Sequence, residues 1–176
     1  GLIVRANTFQ IRNSNFRNNI SEGASGAGAL YLSNGYQGAI LIENCIFENN
    51  RSNHKVYPMG DTGGGALHNR ADNVTIKNSV FRNNYAENLA GAILAWGKNF
   101  QIEDTRFENN TSELRGGGIF LNYYDLSLKN TQFINNKADE GGGIYLSHIA
   151  LKIQNSLFTG NEARVGGGIA TNNGQW

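Results

Sequence analysis

The side chains able to carry chemistry are sparse in this 176-residue sequence. One row of acids stands out, because it recurs three residues after a repeated asparagine: Glu22, Asn53, Glu87, Glu113, Asp139 and Arg164. If consecutive members sit on neighbouring strands, Glu87, Glu113 and Asp139 stand about 5 Å apart. That spacing is costly unless the carboxylates are solvated or bridged by a cation such as calcium. A retaining glycosidase also holds two carboxylates about 5–5.5 Å apart. Three acids splayed from exposed turns is the third reading. Cys45 stands where other repeats carry Ser14, Ser79, Thr105, Thr131 and Ser156, so it reads as a small buried residue, with no histidine placed beside it as a base. His54, His68 and His148 lack metal-ligand spacing. No catalytic set and no cofactor is expected.

Two further features suit binding. An insertion over 51–64, RSNHKVYPMGDTGG, is eight residues longer than its counterparts and carries His54, Lys55, Tyr57 and Met59. Long loops on a regular scaffold are often binding loops, and tolerated insertions look the same. The second is a row of Tyr31, His68, Leu94, Phe120 and Tyr145, with Trp96, Tyr123 and Tyr124 nearby. Strand alternation points this row outward, where a contiguous apolar patch marks a contact site. Packing against a missing part of the parent protein, or a face that curls inward, is the alternative.

The elements that must position these residues follow from a repeat. FRNN at Phe16, FENN at Phe47, FRNN at Phe81, FENN at Phe107, FINN at Phe133 and FTGN at Phe158 are spaced 31, 34, 26, 26 and 25 residues apart. Before each Phe runs an alternating segment such as FQIRNSNF or VTIKNSVF, the pattern of a strand. After it come a polar stretch and a small-residue pair at Gly28, Gly65, Gly91, Gly117, Gly142 and Gly167, which permits a tight bend. Units this short cannot bury a face alone and must stack.

Stacking predicts ladders. Phe9, Ile40, Val74, Phe100, Leu126 and Leu151 form one inward row, Ile11, Ile42, Ile76, Ile102, Leu128 and Ile153 a second. The six motif phenylalanines form a third, and Leu30, Leu67, Ile93, Ile119, Ile144 and Ile169 a fourth. Asn19, Asn50, Asn84, Asn110, Asn136 and Asn161 form an amide ladder. Outward, Arg12, Glu43, Lys77, Glu103 and Lys129 alternate in sign, as do Arg17, Glu48, Arg82 and Glu108. Opposite charges on adjacent strands help by about 0.2–1 kcal/mol per pair, so alternation selects this register. The expectation is an all-β chain, a right-handed single-stranded parallel β-helix (solenoid) of about six coils. One unit covers 1–176, with the 51–64 loop inserted in its second coil.

Composition narrows function. Twenty-three glycines and recurrent asparagine argue against helices, and a net charge of +1 without any basic run argues against nucleic acid. No apolar stretch reaches the roughly 20 residues of a membrane span, and the opening residues do not read as a signal peptide. Any targeting sequence is expected outside this segment, and both ends read as uncapped, open to neighbours. One cysteine rules out an internal disulfide. Asn19, Asn50, Asn73, Asn109 and Asn110 are formal glycosylation sequons for a eukaryotic source, although Asn19, Asn50 and Asn110 belong to the ladder and are expected to be poorly accessible.

The paired FxxN and GGA[ILV] signals, one of each per coil, resemble the repeats of the chlamydial polymorphic membrane proteins. The resemblance implies an autotransporter passenger used in adhesion, cell-surface and outer-membrane associated in a bacterium. Ala90-Gly91-Ala92 in the fourth coil and Gly160 in the sixth depart slightly from the pattern. The resulting expectation is a non-catalytic extracellular adhesin or structural passenger, cut from a larger chain. Its partners are a host-cell or extracellular protein or glycan and the rest of its own chain. A pectate-lyase-like polysaccharide enzyme, or an element of an extracellular filament, is the alternative.

Overall fold

A computed structural model describes residues 1–6, 8–23, 26–33, 38–54, 63–122, 125–147 and 150–172. Among these residues the strand pairings are parallel and join each coil to the next, giving sheets of seven, six, six and four strands. One coil is Ile93–Ala95, Phe100–Glu103, Arg106–Glu108 and Thr111–Ser112, one strand in each sheet. The stacking register is the one the charge rows require: Arg12 faces Glu43, Lys77 faces Glu43 and Glu103, and Arg82 faces Glu48 and Glu108.

The chain turns its corners with left-handed residues. Asn13, Asn44, Asn78, Asp104, Asn130 and Asn155 hold φ near 50° after the second-sheet strands, and Asn18, Asn49, Asn83, Asn109 and Asn135 do so after the third. Asn and Asp tolerate this conformation better than other residues with a Cβ. Gly160, an apparent departure in the sixth coil, holds φ 63° at the same corner. At a further corner Gly116, Gly141 and Gly166 have φ of 64–68°, and Ala90 takes φ 58° in their place. Gly117 is required for another reason: a Cβ there would lie 2.2 Å from the Gly142 carbonyl oxygen.

Inside, the motif phenylalanines stack face to face with centroids 4.5–5.0 Å apart. Phe47, Phe81, Phe107 and Phe133 are wholly buried. Burying such a side chain stabilises by about 1.5–3 kcal/mol, and each ring pair adds about 0.5–1.5 kcal/mol. The asparagine ladder beside them satisfies the backbone. The Nδ2 of Asn110 donates to Phe81 O at 2.9 Å and to Asn136 Oδ1 at 2.9 Å, while its Oδ1 accepts from Asn84 N at 3.0 Å. A further row caps the second-sheet strands: Ser79, Thr105 and Thr131 hydroxyls donate to the carbonyls of Lys77, Glu103 and Lys129. Cys45 takes the same place, its thiol 3.2 Å from Glu43 O.

Candidate functional site

The expected outward row is in register, with Tyr31 opposite His68, His68 opposite Leu94, Leu94 opposite Phe120 and Phe120 opposite Tyr145. Its exposure is corrected. His68 and Leu94 are wholly buried, and Phe120 and Tyr145 are only 4% and 3% exposed. These side chains do leave the outer face of the seven-strand sheet, but the turn that precedes the glycine motif folds back over them. Leu89 and Ala90 close one part of this second apolar cluster, with Leu114 and Trp96 packed at its margin. Isolated parallel bridges tie the cover together from Leu89 to Arg115, Glu140 and Val165. The Arg115 guanidinium lies 4.9 Å over the Tyr145 ring and pairs with Glu140 at 2.9 Å. Leu89 and Leu114, apolar residues in an otherwise polar turn, were the sequence signal for this cover.

Tyr31, in the second coil, stays half-buried, with its ring edge-on to His68 at 5.0 Å. Trp96 is also half-buried. His54, half-buried, lies within the insertion, of which residues 51–54 and 63–64 are described. Lys55, Tyr57 and Met59, like Tyr123, Tyr124 and His148, lie outside the described residues.

The acidic row is paired within the protein. Glu113 accepts from the Tyr85 hydroxyl at 2.6 Å, Asp139 receives Arg164 through Nε and Nη2 at 2.9 Å each, and Glu87 lies 3.7 Å from Arg51. Among the described residues no group of three or more histidine, cysteine or carboxylate side chains stands in a metal-holding arrangement. At the calcium candidates Glu87, Glu113 and Asp139, cations and a phenol from adjacent coils serve the carboxylates. Arg164 holds the Asp139 carboxyl below the usual range, chiefly through its hydrogen bonds. Burial, then the bond to Glu113, pushes the Tyr85 phenol up to about 12. Burial also raises the Cys45 thiol, so that it is held as the neutral, inert form.

The same side of the helix carries a groove of about 730 Å³, lined by Thr111, Glu113, Lys137, Asp139, Glu162 and Arg164 among others. It begins at the last strand of the fourth sheet, Thr111–Ser112, and the outer row of that sheet, Arg51, Tyr85 and Thr111, continues to Lys137 through an isolated bridge. Arg51 stacks 4.4 Å over the Tyr85 ring, and Lys137 pairs with Glu162 at 2.8 Å. The groove therefore offers hydrogen-bonding groups of both charges.

A family model described as a right-handed beta helix region matches residues 1–175. The chain belongs to this right-handed β-helix family. No curated protein and no solved structure matches it. The β-helix has no helix, among its described residues, long and apolar enough to cross a membrane. Family membership accounts for the stacked parallel sheets and leaves the role to the side chains between the repeat positions.

Proposed function

We propose that this β-helix is a non-catalytic extracellular segment, an adhesin or structural passenger of a cell-surface protein, with contact elements carried on its turns. The observation that carries this reading is how its outward charges are used. Arg12 pairs with Glu43, Glu48 bridges Arg17 and Arg82, Lys77 pairs with Glu103, and Arg164 with Asp139, each between coils. A pectate-lyase-like centre needs acids and an Arg or Lys clustered on one sheet face. Here they are spread along the axis in pairs that stitch coil to coil. The likeness of the repeats to chlamydial polymorphic membrane proteins supports an autotransporter passenger, and the inserted loop over 51–64 with half-buried Tyr31 is the contact surface of choice. The partner is a host-cell or extracellular protein or glycan.

Replacing residues 55–62 by a short glycine-serine link should reduce binding to host cells or matrix while leaving the far-UV β signal and the melting temperature in place. Unchanged binding would remove the loop from the reading.

One arrangement favours a polysaccharide-active enzyme instead: the short Tyr85–Glu113 bond at the edge of an open groove. Incubation with plant and host glycans, scored for new reducing or unsaturated ends, decides between them. Turnover abolished by Glu113→Gln would overturn the non-catalytic reading.

A further inference from the structure

Five asparagines stand two residues before a serine or threonine, the acceptor pattern for an N-linked glycan: Asn19, Asn50, Asn73, Asn109 and Asn110. The coil sorts them by strand parity. In extended chain residues i and i+2 share a face, so the amide and the hydroxyl of such a pattern are both inside or both outside. Asn50 with Ser52, and Asn110 with Ser112, are buried pairs. Asn19 with Ser21 follows the same parity, its amide bonded to Asn50 Oδ1 at 2.9 Å. The Ser112 hydroxyl is bonded to Asn88 O at 2.8 Å. Asn73 is half-buried, its Nδ2 donating to Gly38 O at 3.0 Å and its Oδ1 accepting from Asn99 at 2.8 Å.

Asn109 and Thr111 are one residue out of phase with Asn110 and Ser112, and both point away from the core. Asn109 is exposed at the apex of a corner, with φ 53°. Among the described residues no hydrogen bond engages its side-chain amide, and none engages the half-exposed Thr111 hydroxyl. The equivalent exposed corners, Asn18, Asn49, Asn83 and Asn135, have Ile20, Arg51, Tyr85 and Lys137 at the hydroxyl position. The fourth coil alone among them combines an open amide with an open hydroxyl.

We propose that Asn109 is an N-glycan acceptor site, the sequon that the folded coil leaves available to a transferase. The co-substrate is an oligosaccharide linked to a lipid diphosphate. Asn109 Nδ2 forms a bond to C1 of the first sugar, and the C1–O bond to the diphosphate breaks. The electron pair leaves on the lipid diphosphate, and the amide nitrogen gives one proton to a base of the transferase. The glycan then stands at the rim of the groove through Thr111. The inference rests on the extracellular reading, since only an exported chain meets such a transferase.

The test uses the purified, folded chain with an oligosaccharyltransferase and a lipid-linked oligosaccharide, read by intact mass, with a peptide of residues 107–113 as positive acceptor. The folded chain should gain the mass of one glycan. The gain should vanish in Asn109→Gln and in Thr111→Ala and persist in Asn73→Gln. Lys137→Thr, which puts a hydroxyl on the outer row two residues after Asn135, should raise the count to two. Ala138→Ser, which completes a buried pattern with Asn136, should leave it at one. A gain that survives Asn109→Gln, or no gain while the peptide is modified, overturns the proposal. The reaction bypasses export, so its failure is distinct from a failure of the cell-surface reading, which the binding assay reports.

Discussion

The two faces of the seven-strand sheet both bury apolar side chains, and they do so by different means. On the inner face Leu67, Ile93, Ile119 and Ile144 are enclosed by the coil's own other sheets, and each copy lies in the same environment. On the outer face Leu94, Phe120 and Tyr145 are enclosed by a turn of the chain laid over the sheet. The inner layer needs only that a coil close and stack. The outer layer needs a particular turn to carry Leu89 or Leu114, and in the second coil Tyr31 is left half-buried. A repeat can thus hold its core constant while each coil alters its own cover, which is where a solenoid has room to specialise.

The largest effects test whether the outer layer is a core in its own right. Phe107→Ala should cost about 3–5 kcal/mol in chemical denaturation, because it breaks a continuous ring stack. Phe120→Ala should cost about 3 kcal/mol, the lower end of the same range, from the smaller cluster. A value within about 0.5 kcal/mol, as at a solvent-facing position, would restore the outward reading of that row.

The two adjacent asparagines of each motif repeat the contrast on a smaller scale. Asn110 is wholly buried and bonded on both sides, whereas Asn109 is exposed. Asn110→Ala should cost about 1–3 kcal/mol by stranding the Phe81 carbonyl and the Asn84 amide. Asn109→Gly should be near neutral, since glycine accepts the left-handed corner without strain. Equal losses at the two positions would contradict the division into inner and outer rows.

Ala90 is the point where the outer cover departs from glycine at a left-handed corner. Relief of the Cβ clash outweighs the extra entropy of the unfolded chain, so Ala90→Gly should stabilise by about 0.5–1 kcal/mol. A melting temperature that falls instead would show that Ala90 contributes more through packing against Leu94 than it costs in strain.

The smallest effect is spectroscopic. The Tyr85 phenol is raised from 10.0 to about 12, so its neutral form is the one the fold favours. The stability it contributes is complete below the ordinary tyrosine range and is lost as pH rises through about 12. Alkaline difference absorbance should contain a late phenol that disappears in Tyr85→Phe. A late phenol that persists would place the Glu113 contact elsewhere.

The order of elements, the stacking register, the Phe and Asn ladders and the alternating charge rows were legible from the residues alone. Each follows from a local period of two inside a longer repeat, and identical environments force identical residues in every coil. Alternation also placed Phe120 and Tyr145 correctly on the outer face of their sheet. What alternation cannot report is whether something lies on that face. The cover of Leu89 and Leu114, the donors that occupy Glu113 and Asp139, and the open state of Asn109 beside a buried Asn110 all depend on where a turn lands against another strand. Contacts between coils decide that, and their partners lie about 25 residues or more apart in sequence, as Tyr85 and Glu113 do at a separation of 28.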